Sequence, residues 1–273
     1  MKKIVVLMAV VYLAGSFKQK GITWVAIGDS ITYLNEHKGE TGDRVTKGYL
    51  TRVTEQLPAV HYINQGHNGW TSGDIADSID VLGLVKADIY SVFLGTNDWW
   101  YGRNLGIFSD YTGNKGNGTV YGSFRIIINK IRTLNPAAKI ILITPMQRVD
   151  FVSIYDMTNN AYGSYREKKG QLLEQFAKAV DSIGKYEKIQ VVDLFHTPGM
   201  GLKSLVRFKR LRDPKTQEYK NYKYPDFIDV PFNPGKDKYP YPPAAAGITF
   251  DGLHPSDKGY KIISGLLVKA IGK

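Results

Sequence analysis

Thr23-Trp24-Val25-Ala26-Ile27-Gly28-Asp29-Ser30-Ile31-Thr32 is a short apolar run that ends in a Gly-Asp turn and hands a serine to whatever follows. A run of that length with aromatic and β-branched members reads as a buried strand, and Gly with Asp marks its end. Near the far end of the chain stands Asp251-Gly252-Leu253-His254-Pro255. A serine hydroxyl is a weak nucleophile until an imidazole takes its proton and a carboxylate holds that imidazole in the right tautomer. Ser30, His254 and Asp251 are the residue types for that chemistry, provided the fold brings the two ends of the chain together.

Working outward from the first strand, β-rich runs alternate with segments of helical period. The strands are expected at Thr23 to Ile27, Val60 to Asn64, Ile89 to Leu94, Lys139 to Thr144 and Ile189 to Asp193, and the helices at Gly48 to Leu57, Ser72 to Leu82, Thr119 to Leu134 and Asn159 to Ile183. A last helix starts after Pro255 with Ser256 as N-cap and carries Ile262, Ile263, Leu266 and Leu267 on one face. Strand and helix in alternation signal βαβ units, and right-handed crossovers give an α/β class fold. The expected architecture is a three-layer α/β/α sandwich around a mostly parallel five-stranded sheet of flavodoxin-like type. Open sheets of this kind bind ligands beyond the carboxyl ends of their strands. Ser30, Gly69, Asn97 and the Asp251/His254 pair all follow strands or sit in late loops.

Gly-Asp-Ser alone is a weak signal. Four blocks in order are a strong one: Gly28-Asp29-Ser30, then Asn64-Gln65-Gly66-His67-Asn68-Gly69-Trp70-Thr71 after the second strand, Gly95-Thr96-Asn97-Asp98 after the third, and Asp251-x-x-His254 before the last helix. With these blocks the chain resembles the GDSL family, also called SGNH hydrolases after the Ser, Gly, Asn and His of its blocks. The resemblance runs from about Thr23 to Gly265.

The resemblance implies hydrolysis of a carboxylic ester with no metal and no organic cofactor. It makes Ser30 the nucleophile, His254 the general base and Asp251 its orienting carboxylate. The oxyanion would be held by Ser30, Gly69 and Asn97, one lost donor of this kind costing roughly 10²–10³ in rate. Gly66 offers a second glycine in the same block, but Gly69 leaves Asn64 at the strand end and Thr71 to start the helix.

Other residues are weighed against blander roles. His37, His61, His67 and His196 lack metal-ligand spacing and read as surface or packing histidines, His67 excepted because its block places it as a pocket-lining residue. Asp29 reads as a turn-fixing side chain and Asp98 as a support for Asn97. Trp99-Trp100-Tyr101 follow the asparagine directly. On a loop three adjacent aromatics cannot all point inward, so they are expected to contact substrate, with coverage of the sheet edge as the structural alternative.

The chain has 273 residues, 43% hydrophobic and 22% charged, enough for one globular domain with a sizeable core. Lys2-Lys3, an apolar stretch over residues 4–14 and Gly15-Ser16 have the layout of a secretory leader, here bounded at 1–19 and followed by a single domain at 20–273. A buried first strand is the alternative reading. That stretch is shorter than the ~20 residues of a membrane span, so no stable membrane insertion is expected. A leader implies a secreted or periplasmic protein.

Residues 196–250, rich in Pro, Tyr and Lys, are too long for a plain connection and read as an ordered functional loop. The formal charge is +11, and 203–241 carry ten Lys or Arg against five acids. That density suits an anionic partner or a solvated loop equally. The expected partner is an acylated small molecule or an acetylated polysaccharide, anionic if the basic loop contributes. Removal of O-acetyl groups from a carbohydrate is the favoured activity, with a lipase or short-chain acylesterase next and a non-catalytic glycan-binding module after that. Nucleic acid is not expected, because the lysines are interrupted by prolines and no docking motif is present.

Overall fold

The structure, a computed structural model, describes residues 21–272, so the expected leader at 1–19 lies outside the described residues. The chain runs from β1 (Ile22–Gly28) through the single turn α1 (Ser30–Tyr33) and α2 (Tyr49–Gln56) to β2 (Val60–Gly66). Next come α3 (Ser72–Ser78), β3 (Ile89–Phe93), α4 (Thr96–Tyr101), α5 (Phe108–Thr112), α6 (Val120–Leu134) and β4 (Lys139–Ile143). A two-residue ribbon, β5 (Phe151–Val152) against β6 (Asn160–Ala161), precedes α7 (Leu173–Glu187) and β7 (Gln190–Val192). The chain closes with α8 (Leu202–Leu205), the hairpin β8 (Lys209–Arg212) and β9 (Tyr219–Tyr222), and α9 (Asp257–Ile271).

The main sheet has the order β2-β1-β3-β4-β7 and every neighbouring pair is parallel. The central strands β1, β3 and β4 are covered on both faces, which is why they read as continuous apolar runs. Trp24, Ala26, Phe93, Ile141 and Ile143 pack against Tyr49 and Val53 of α2 and Tyr260, Ile263 and Leu267 of α9. Val25, Ile27, Val92 and Leu142 meet Ile75 of α3, Phe124 and Ile128 of α6, and Phe176 and Val180 of α7. Two faces, two helical layers and one parallel sheet make the expected three-layer sandwich.

Register decides where the site lies. Gly28 is level with both Gly66 and Phe93, so the segments leaving β1, β2 and β3 emerge side by side on one edge. His67 N–H donates to the Gly28 carbonyl (3.0 Å), tying the second block to the first. Side-chain caps start the helices that follow: Asp29 for α1, Thr71 for α3 in a reciprocal capping box with Asp74, Thr119 for α6 and Ser256 for α9.

Three expectations need correction. Asn159 to Ile183 is not one helix: Asn160–Ala161 is strand, and α7 starts at Leu173. Lys169 and Gly170 both have positive φ (48° and 74°), so helix cannot run through this stretch. The Trp99 to Tyr101 triplet lies on α4 and not on a loop. Residues 196–250, expected as an ordered loop, contain a helical turn and a hairpin, and they contact the segment that follows β4 through Lys209–Asp150 and Tyr239–Val152.

Candidate active site

Asp29 accepts a hydrogen bond from the Ile31 N–H (3.0 Å), which makes Ser30 the first residue of α1 at the end of β1. Burial pushes the Asp29 carboxyl up to about 6. From the other end of the chain, His254 brings Nε2 to 2.9 Å from Ser30 Oγ, and its Nδ1 lies 2.7 Å from Oδ2 of Asp251. The second oxygen of Asp251 accepts the backbone N–H groups of Leu253 (3.0 Å) and His254 (2.7 Å). Both carboxylate oxygens are therefore committed, and the buried aspartate fixes ring orientation and tautomer together.

The histidine loop is held from below. The Gly252 carbonyl accepts from Val149 N–H (3.0 Å) and the Asp251 carbonyl from Val152 N–H (3.2 Å). Gly252 has φ +94°, and a Cβ there would fall 2.0 Å from the Asp150 carbonyl oxygen, so only glycine fits. Phe250 stacks on the imidazole (23° between planes) and Phe151 meets it edge-on (84°).

Gly69 and Asn97 border the same cavity as Ser30. Gly69 has φ +78°, and a Cβ there would meet only the Tyr101 hydroxyl at an ordinary 3.7 Å, so backbone conformation and not crowding requires glycine. Gly66 is glycine for a different reason: inside β2, a Cβ would strike Tyr33 N at 2.2 Å. The Asn97 Nδ2 donates one hydrogen to the Trp70 carbonyl (2.9 Å), which orients the amide and leaves its second N–H available. The Asp98 carboxylate makes no hydrogen bond to Asn97. It accepts from Ser72 N–H (2.9 Å) and Oγ (2.6 Å) and pairs with Arg103 (3.3 Å), locking the start of α3 to α4.

The cavity over Ser30 is about 100 Å³. Chemically, the arrangement offers a hydroxyl with a hydrogen-bonded base, and beside it a glycine backbone and an oriented amide as donors for developing negative charge.

The expected substrate contacts divide. Tyr101 borders the cavity and is 56% exposed, and half-buried Trp100 borders it too. Trp99 is fully buried, its indole N–H bound to the Gln171 carbonyl (2.9 Å), so it is a core residue and not a substrate contact. Helical geometry explains the split, since successive residues on α4 point in different directions. His67 stacks on Trp70 (centroids 4.2 Å apart), and burial lowers its pKa. Asn68, its neighbour, takes the place at the cavity expected for His67.

Sequence reasoning passed over the segment after β4. Arg148, Phe151, Asn159 and Ala161 all border the cavity. The available signal was topological, because a segment leaving the carboxyl end of a central strand belongs to the ligand edge. Residues 196–249 contribute nothing to the cavity lining. Their lysine Lys209 is buried in an ion pair with Asp150 (2.7 Å), and Tyr239 donates to the Val152 carbonyl (3.0 Å). Arg212–Asp237 and Lys220–Asp213 pair within the segment and neutralise part of its charge. Among the described residues no three His, Asp or Glu side chains gather in a metal-binding cluster, and no helix is long and apolar enough to cross a membrane.

Known proteins share this fold. A possible lipase from Chitinophaga pinensis DSM 2588 superposes with a TM-score of 0.91 at 65% identity, covering 92% of this chain and 98% of that one. An acetyl xylan esterase shares the fold at 16% identity (TM-score 0.56; 92% and 100% covered). So does a catalytic variant of an acetylxylan esterase from Geobacillus stearothermophilus, at 17% identity (TM-score 0.51; 93% and 95% covered). No curated protein sequence matches the chain. The model of the GDSL-like lipase/acylhydrolase family matches residues 26–262, a span that takes in all four sequence blocks and nearly the whole sandwich, and the chain therefore belongs to that family.

Proposed function

We propose that this protein is a serine esterase that removes short acyl groups, acetyl above all, from a carbohydrate. One observation carries the reading: the Ser30–His254–Asp251 chain opens on a cavity of only about 100 Å³. In this reading Ser30 Oγ attacks the ester carbonyl carbon while His254 Nε2 takes its proton. The oxyanion is bound by the backbone N–H groups of Ser30 and Gly69 and by Asn97 Nδ2. His254 returns the proton to the leaving sugar hydroxyl, and a water deprotonated by the same imidazole releases acetate and restores Ser30.

A second cavity of about 170 Å³ lies on the other side of His254, and Asn68, Phe151 and Asn159 border both. Tyr155, 70% exposed, stands at the second cavity and Tyr101 at the first. Two exposed phenol rings with asparagines between them suit a sugar chain, which offers ring faces to stack on and hydroxyls to bind. The same architecture accommodates acetyl xylan esterases, which supports the substrate class at the level of fold only. Export through the Lys2-Lys3 leader belongs to the proposal, checked by the N-terminal sequence of protein recovered from outside the cytoplasm.

The similarity to a possible lipase favours long-chain acyl hydrolysis as the second reading. Acetate release from a panel of acetylated glycans, alongside 4-nitrophenyl esters from acetyl to dodecanoyl, separates the two. A maximum at acetyl with acetate released from glycans supports the deacetylase. A steady rise toward dodecanoyl overturns it in favour of the lipase.

A further inference from the structure

Arg148 follows β4 and is 1% exposed, yet it borders the cavity over Ser30. Its Nε and Nη2 are closed off from solvent and have no hydrogen-bond partner among the described residues. Those two atoms form the side-on edge of the guanidinium, the edge that matches the two oxygens of a carboxylate. The group lies over the rings of Trp99 (5.6 Å) and Trp100 (5.2 Å), and Lys168 Nζ stands 3.9 Å over Trp100 as well. Two cations thus lie against Trp100, which borders the cavity.

The neighbouring carboxylates are engaged elsewhere. Asp251 is held by His254 and two backbone N–H groups. Asp150 is held by Lys209, Gly163 N–H and the Tyr165 hydroxyl. Both lie near enough to favour the Arg148 charge, and burial still lowers its pKa to about 10, leaving it charged at neutral pH. A buried cation without a hydrogen-bonded counter-ion is costly to keep unless something pairs with it.

We propose that Arg148 binds a carboxylate of the substrate, so that the preferred ester is an O-acetylated uronic acid residue or one beside it. The inference rests on the carbohydrate deacetylase reading and names the sugar class. Arg148 borders the cavity over Ser30, and the cavity's small size keeps a bound carboxylate close to the scissile ester. The basic segment at 203–241, which does not line the cavity, is not needed for this preference.

The test measures acetate release from O-acetylated galacturonate oligosaccharides with the carboxyl free and as the methyl ester, for wild type, Arg148→Met and Arg148→Lys. The free acid should be favoured about tenfold or more in kcat/KM by wild type, carried by KM, a loss of one charge-assisted pair being of that order. R148M should bring the ratio close to one and R148K should keep part of it. Equal rates on the two forms in wild type, or an unchanged ratio in R148M, overturn the inference. Should R148M not fold, competition decides it: galacturonate should inhibit wild-type hydrolysis of 4-nitrophenyl acetate about tenfold more strongly than galactose, and equal inhibition overturns it. Release of acetate from neither oligosaccharide refutes the deacetylase reading itself, whereas equal release from both refutes Arg148 recognition alone.

Discussion

Nε2 of His254 lies 2.9 Å from Oγ of Ser30, across 224 positions of chain. The contact needs β1 to deliver the serine, α9 to anchor the loop that precedes it, and Asp251 to hold the ring. With the serine hydroxyl as nucleophile, Ser30→Ala should lower kcat by at least about 10⁴-fold, and Asp251→Asn by about 10³–10⁴-fold, KM changing little in either. Steady-state kinetics on 4-nitrophenyl acetate reads both. Retention of more than a tenth of the rate in the Ser30 variant would exclude the hydroxyl as nucleophile.

Asn97 offers one amide hydrogen to the Trp70 carbonyl and leaves the other without a partner among the described residues. Its replacement by Ala should cost about 10²–10³ in kcat with KM largely kept, since the oxyanion exists only along the reaction path. A change confined to KM would place Asn97 in ground-state binding instead.

Gly252 sits between the two functional residues of the last block at φ +94°, with no room for a Cβ. Gly252→Ala should destabilise the fold by about 2–4 kcal/mol and lower kcat, because the added Cβ strains the loop that carries Asp251 and His254. Urea unfolding and kinetics on the same preparation test this, and a melt unchanged from wild type contradicts it.

Asp29 gives a pH signature. Burial raises its folded pKa to about 6, above the ~3.9 of an unfolded aspartate. A raised carboxyl favours the protonated fold, so its contribution is fully present below pH ~4 and is lost as pH rises through about 6. Asp29→Asn keeps a capping acceptor and never ionises. Relative to wild type it should therefore gain about 2–3 kcal/mol between pH 4 and pH 8. Parallel stability curves across that range would rule out a buried, titrating Asp29.

Tyr101 is the exposed member of the α4 triplet. Tyr101→Ala should raise KM about tenfold for an acetylated oligosaccharide and much less for 4-nitrophenyl acetate, stacking on a ring being of that order. An equal rise on both substrates would tie the ring to the ester group and not to the sugar.

How far the sequence alone carried follows from the range of the interactions involved. The central strands of the main sheet are covered on both faces, so burial writes itself into a local apolar run, and Ile22–Gly28 or Lys139–Ile143 could be read within a residue or two. The four blocks were legible for a related reason: strand ends, glycines with positive φ and helix caps are local requirements that restrict residue type at fixed spacing. The order in which they leave a parallel sheet then fixes one shared edge.

Other features depend on what packs against what. Trp99 and Tyr101 are adjacent aromatics, and only the α4 helix turns one into the core and the other to the surface. Arg148 looks like any charged residue in a connection until Trp99, Trp100 and the β5–β6 ribbon enclose it beside Ser30. The segment at 196–250 had the composition of an ordered functional loop, yet Lys209 pairs with Asp150 and residues 196–249 stay out of the lining of the cavity over Ser30. Chain order and local backbone demands therefore determined the fold and the Ser30, Asp251 and His254 constellation. What surrounds that constellation was decided by tertiary structure, because burial and ion pairing between distant segments leave no periodic trace in the sequence.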